Sequence, residues 1–319
     1  MVERVNVPRV PRLRYRKAHR GDIAECLALL PDWLQLDGAM RAALPDLLGR
    51  IANEAAVYSM VMEDVALPPG QRIQAWGLAL ALGPDEVARL QLNGLPQPLL
   101  ARQAYAALLD GSLVPMDDTA LGRVNASGEL AFLAMHYVTR AYDPGDPYFQ
   151  ALISVGNESM RFGMSGHNLN AIHFENPVEA DEVMRSAGFV LREAAGVREG
   201  LRLWGMTRDE ARRLMPGSTA RHLFESHPPR FRLSVNQRRL LWHALFDEDD
   251  EQLAAGLEVS PHGLKKLWRG IYERIADSVP DFFGDASAAD EGKRGPEKRR
   301  QVLAYVRQRP EELRPWLPA

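Results

Sequence analysis

The chain of 319 residues divides by pattern into an α/β N-terminal domain and an all-α C-terminal part. Strand-like and helix-like segments alternate up to about residue 195, as in a mixed sheet covered by helices. Strands thin out from Leu201, and from Ser234 onward the apolar residues follow helical spacing.

Within the first part, "RLRYRKA" (12–18) predicts a strand and "DIAECLALLP" (22–31) a helix capped by Asp22. "AMRAALPDLLGRIANEA" predicts a second helix. "AVYSMVMED" and "RIQAWGLALAL" predict a hairpin turning at "LPPGQ". "QPLLARQAYAALLDG" (97–111) predicts an amphipathic helix stopped by Gly111. "ELAFLAMHYVTR" (129–140) is nearly continuous in apolar residues, as a strand covered on both faces requires. "PYFQALISVGNESMRFGMSG" predicts a helix and "LNAIHF" a strand. "PVEADEVMRSAGF" predicts a helix opening at Pro177 and ending at Gly188, before the strand "FVLREA".

Beyond a short helix in "DEARRLM", the segment "PGSTARHLFESHPPRF" carries linker punctuation. Ser234 and Gln237 have capping-box spacing at the start of "SVNQRRLLWHAL". Asp249 and Gln252 repeat it at a shorter helix, and Pro261 opens "PHGLKKLWRGIYERI". The expected boundaries are 1–200 for the α/β domain, 201–230 for a linker, 231–283 for a helical domain, and 284–319 for a second linker and a basic C-terminal helix.

Composition is that of an ordinary globular protein, 46% hydrophobic and 25% charged, with net charge −3. No apolar run approaches the ~20 residues that span a bilayer, and the basic N-terminus lacks a secretory h-region. No membrane partner and a cytoplasmic location are therefore expected. Cys26 sits at helical spacing among apolar residues and reads as a core thiol. His167 and His173, and His222 and His227, do not have the spacing of a helical metal pair. No P-loop and no nucleophile elbow are present. Glu63 and Asp64 read as a solvated strand end. The expectation is no metal, no cofactor and no catalytic set.

In the third C-terminal helix, Leu264, Leu267, Ile271 and Ile275 share one face, while His262, Lys265, Lys266 and Arg269 fall largely on the other. The whole stretch "LSVNQRRLLWHALFDEDDEQLAAGLEVSPHGLKKLWRGIYERI" (233–275) resembles the LuxR-type helix-turn-helix. The resemblance implies a recognition helix over 261–275, a scaffold helix over 249–257, and a homodimer on double-stranded DNA. It implies DNA contacts from Ser260, His262, Lys265, Lys266 and Arg269; Arg238 of the preceding helix joins that set as a basic residue. The chain departs from the pattern at Gln237, Arg239 and Gly263. An acidic loop, Asp247 to Glu251, opposes a phosphate backbone.

The element order of the first part, with "RLRYRKAHRGDIAECLALLP" and "LNAIHFENPVEADEVMRSAGF", resembles the GNAT-type acetyltransferase fold. Here too there are departures. "RAYDPGDPYFQ" lacks the family's phosphate-binding glycine turn, Asp143 and Asp146 would repel phosphate, and Met184 stands where a tyrosine acid is usual. The segment from Gly83 to Gly128 is an insertion. The expected reading is a transcription regulator whose α/β domain senses a small-molecule ligand or protein partner without catalysis. An acetyltransferase carrying a helix-turn-helix and a protein-interaction adaptor are the alternatives.

Overall fold

The computed structural model describes residues 11–92, 99–192, 200–246, 249–284 and 294–318. Its centre is a seven-stranded sheet in the order β1-β2-β3-β4-β5-β7-β6. The strands are β1 (Leu13–Lys17), β2 (Val57–Asp64), β3 (Ile73–Leu82), β4 (Leu130–Thr139), β5 (Leu169–Pro177), β6 (Val190–Arg192) and β7 (Leu201–Thr207). β4 and β5 run parallel, and every other neighbouring pair is antiparallel.

Both faces are covered, which is why β2, β3 and β4 read as apolar runs rather than alternating strands. One face carries α1 (Ile23–Leu27), α2 (Gly38–Ile51), α3 (Pro84–Arg89) and α4 (Leu100–Asp110). They bury Leu44, Leu47, Ala104 and Tyr105 against Trp76, Leu80 and Leu133. The other carries α5 (Asp118–Ser127), α6 (Pro147–Met164), α7 (Asp181–Ser186), α8 (Arg208–Arg213) and α9 (Thr219–His222), packed around Phe132, Phe174 and Trp204.

A helical unit follows: α10 (Val235–Ala244), α11 (Asp250–Gly256), α12 (Pro261–Ser278) and α13 (Arg294–Gln308). Leu240, Leu253, Leu264, Ile271, Ile275, Val302 and Val306 form its core. The caps expected in this unit are in place, whereas Asp22 does not cap α1 through its side chain, which is taken by Arg16 and by His19 N–H. Ser234 and Asp249 form capping boxes, and the Ser260 hydroxyl accepts from Gly263 N–H at 3.1 Å.

The structure changes four expectations. The supposed linker 201–230 contains β7, which sits inside the sheet between β5 and β6, and, after the expected short helix α8, a further helix α9. Its strand character comes from pairing with β5, a long-range contact that no local pattern displays. Pro177 closes β5, lying opposite Leu201, and stands just before a 3₁₀ turn (Val178–Ala180) that leads into α7. The insertion holds a helix, α5, that was not expected; Asp117 caps it through Ala120 N–H. Finally, the C-terminal segment is not separate from the α/β part. A 3₁₀ turn at Pro310–Leu313 leads back to α5, where Asn125 donates to Pro315 O and Leu317 N–H donates to Gly122 O.

The two parts are joined by more than the chain. Trp242 and Phe246 pack with Tyr15, Met60 and Met62, and Arg238 pairs with Asp118 across the junction. Arg314, 2% exposed, donates to the carbonyls of Ser165 and Phe162 at the end of α6 and lies over the Trp242 ring.

Candidate ligand-binding cleft

β4 and β5 pair only from Leu130 to Ala134 and from Leu169 to Phe174, after which the two strands part. A register shift against β3 at Leu78/Ala79 leaves Met135 as an extra residue and turns the outer half of β4 away. The space between the strands is a cavity of about 880 Å3. Phe149, Ile153 and Met160 of α6 wall one side, and Val183 and Met184 of α7 another; Leu29, Pro31 and Trp33 close the far end. A small residue is required where α6 crosses β4. A Cβ on Gly156 would lie 2.6 Å from Cζ of Tyr137.

Tyr58 and His136 line the cavity, and each is paired with a buried side chain behind the wall. Tyr58 OH lies 2.8 Å from His167 Nε2, and His167 Nδ1 lies 2.9 Å from Met164 O. The carbonyl can only accept, so Nδ1 carries the hydrogen and Nε2 accepts from Tyr58. Burial raises the Tyr58 phenol to about 12 and, together with Arg314, pushes His167 well below its ordinary value. Both groups are neutral. Across the sheet, Tyr105 OH meets His136 Nε2 at 2.8 Å, and burial pushes His136 down to about 3. Glu175 on β5 accepts from Leu99 N–H and Ala101 N–H, anchoring the start of α4.

At the mouth, Tyr142 OH donates to Glu179 O at 3.1 Å, and its ring rests on Phe149. Asp146 accepts from Tyr148 N–H and Asp143 from Gly145 N–H, so carboxylates of the chain itself occupy donors at the start of α6. Glu179 and Glu182 are the charged residues lining the cavity, with no lysine or arginine among the described residues that line it. Met184 is buried against the cleft and offers no proton.

Glu63 and Asp64 are not a solvated strand end: each is 3% exposed. Against the opposing effect of burial, Arg16 and Arg14 hold the Glu63 carboxyl below its ordinary range. Burial pushes the Cys26 thiol up to about 12, consistent with a core position. Among the described residues no group of three His, Cys, Asp or Glu is placed to hold a metal ion, and no helix is long and apolar enough to cross a membrane.

The residues expected at DNA separate into two places. His262, Lys265, Lys266 and Arg269 lie exposed on α12, opposite buried Leu264, Trp268, Ile271 and Ile275, with Ser260 at the helix entry. Arg238 does not join that face. Its guanidinium is bound to Asp118 and to Leu233 O, with 13% of the side chain exposed. Of the acidic loop, Asp247 and Glu248 lie outside the described residues. Asp249 is engaged as a cap, and Asp250 pairs with Arg299 at 2.6 Å.

No family model matches the chain, and no curated protein matches it. Solved structures similar to it include a mutant of the Vibrio cholerae spermidine N-acetyltransferase SpeG (12% identity, TM-score 0.35, 61% of this chain, 93% of that chain). The same enzyme in complex with manganese ions gives 12%, 0.35, 61% and 92%, and its dodecameric intermediate state 12%, 0.35, 62% and 95%. The N-terminal part is a mixed α/β sheet with helices on both faces. The expectation that the chain is not an enzyme is corrected by this finding, since the similar structures are those of acetyltransferases.

Sequence reasoning weighed His167 only as a metal ligand and passed over Tyr58, Tyr105 and His136. The one available signal was polarity inside apolar runs, as in "AMHYVT", where a histidine interrupts a fully buried strand.

Proposed function

We propose that the chain is an acyltransferase that uses the cleft between β4 and β5. The observation that carries this reading is the parting of the parallel pair over a mostly apolar cavity of about 880 Å3. That volume is within the range of small-molecule sites, roughly 300–1,000 Å3. The outer half of β4 does not pair with β5, so it can hydrogen-bond an extended amide-bearing arm as a strand would. Such an arm carries the acyl thioester, in keeping with the GNAT-like fold, and the acceptor enters from the end at Leu29, Pro31 and Trp33. Asp143, Asp146 and Met184 set the chain apart from the family pattern. The donor is therefore held by the apolar walls and strand edge rather than by a phosphate loop.

The test is calorimetry on the full chain with acetyl-CoA and octanoyl-CoA, followed by thiol release with amine acceptors. Binding at Kd ~10⁻⁶ M, about −8 kcal/mol, with turnover, is the expected result. No heat and no thiol release with either donor would overturn the reading.

A second reading concerns the helical unit: that α12 contacts double-stranded DNA in a helix-turn-helix manner, and that the chain acts as a homodimer in transcription regulation. The exposed His262, Lys265, Lys266 and Arg269 on a helix anchored by its opposite face favour it. Lys266→Ala and Arg269→Ala should each weaken DNA binding by about 1–3 kcal/mol if they meet base edges. Fluorescence anisotropy at two salt concentrations reads this. Unchanged affinity in both variants, with wild-type binding intact, removes α12 as the reader.

A further inference from the structure

A second cavity, of about 210 Å3, lies at the junction of the two parts, and nothing above gives it a role. α10 presents Val235, Arg239, Trp242 and His243 to it at helical spacing. Tyr58 and Met60 of β2 form the opposite wall, and Arg314 closes one end. At roughly 30 Å3 per water, the space equals about seven waters, the size of a small organic molecule.

Its charges are unevenly satisfied. Arg238 is neutralised by Asp118, and Asp117 is occupied with the Ala120 N–H. Arg239 is half-buried with no hydrogen-bond or ion-pair partner among the described residues. Arg314 is fully buried: its hydrogen bonds go to carbonyl oxygens and it lies over the Trp242 ring, and burial, against the attraction of Tyr58 and Glu311, pushes it down to about 10. A buried guanidinium with no carboxylate hydrogen-bonded to it is costly, and an anion beside it relieves that cost. Glu54 stands exposed at the rim, where it can meet an ammonium group.

We propose that this junction cavity is a binding site for a small organic carboxylate of amino-acid size, with the carboxylate on Arg239, facing Arg314, and the apolar body against Trp242 and Tyr58. Tyr58 and Met60 also line the cleft, so the two sites share a wall. Because both parts of the chain build the cavity, its ligand binds only the docked arrangement and stabilises it. The site does not depend on acyl transfer.

The test is calorimetry on the full chain, without any acyl donor, using benzoate and phenylalanine as probes. Saturable binding is expected, tighter for phenylalanine if Glu54 meets its ammonium. Arg239→Gln removes a charged hydrogen-bond partner and should weaken either probe about ten- to hundredfold; Arg239 makes no hydrogen bond or ion pair among the described residues. Val235→Glu, at an exposed position of the same wall, should also abolish binding by adding a negative charge. Absence of saturable heat with both probes, or wild-type affinity in both variants, overturns the proposal.

Discussion

Replacing Gly166 by alanine tests how the C-terminal segment is docked. Gly166 follows α6 with φ +80°, a conformation that costs an L-residue about 1–2 kcal/mol. A Cβ there would lie 2.7 Å from the carbonyl carbon of Pro310 and 2.8 Å from Cα of Glu311, with Glu311 N closer still. These are backbone atoms and cannot rotate away. The segment is also held elsewhere: Glu312 accepts from Arg230 N–H and Phe231 N–H, and Arg314 grips the end of α6. Overpacking of this kind costs about 1–3 kcal/mol, so Gly166→Ala should destabilise by about 2–5 kcal/mol in all. Gly111→Ala is the reference, since Gly111 has φ +79° and nothing within 4 Å of its added Cβ. It should show the strain alone, about 1–2 kcal/mol. Urea unfolding followed by circular dichroism and tryptophan fluorescence measures both. If Gly166→Ala costs no more than Gly111→Ala, the turn at 310–313 is not packed on the end of α6, and the C-terminal segment does not dock there.

Histidine burial gives a pH dependence. His136 and His173 have folded pKa values depressed to about 3 and about 4, chiefly by burial, against about 6.5 when unfolded. Their contribution to stability is present above pH ~6.5 and is lost as pH falls toward ~4, each at up to about 1.4 kcal/mol per pH unit. Urea midpoints between pH 5 and 7 read the slope, and imidazole resonances titrating near 6.5 in the folded protein would refute it. Arg238→Ala breaks a pair whose side chains are 13% and 27% exposed and should cost about 1–3 kcal/mol. A double-mutant cycle with Asp118→Asn should show coupling; strict additivity would deny the contact. Glu175→Gln weakens two backbone hydrogen bonds at the start of α4 and should cost about 1–2 kcal/mol, seen as faster hydrogen exchange in α4 before other elements.

Elements fixed by local chemistry were legible. Ser234, Asp249 and Ser260 announce their helices because a cap needs only a side chain and an N–H two or three residues on. The apolar run of β4 announces a strand covered on both faces, and the turn between β2 and β3 announces their hairpin. β7 was missed because its identity rests on pairing with β5, and "LRLWGM" taken alone sits among linker-like neighbours. Arg238 was placed at DNA for its charge, whereas Asp118, its partner, is far away in sequence.

The candidate site divides in the same way. The sequence by itself determined which residue types are available: an apolar, methionine-rich set around β4, β5 and α6, a methionine at position 184, carboxylates at 143 and 146, and a basic face on one amphipathic helix. It determined the helix starts and the strand order's raw material, because those follow from neighbours within a few residues. Only the tertiary structure decided that β4 parts from β5 after Ala134, that Tyr58 meets His167 and Tyr105 meets His136, and that Arg314 returns to the end of α6. Each of these joins residues at least 31 positions apart. Cavities, buried pairs and shifted pKa values arise from what packs opposite a residue, and that partner is chosen by the whole fold rather than by the local chain.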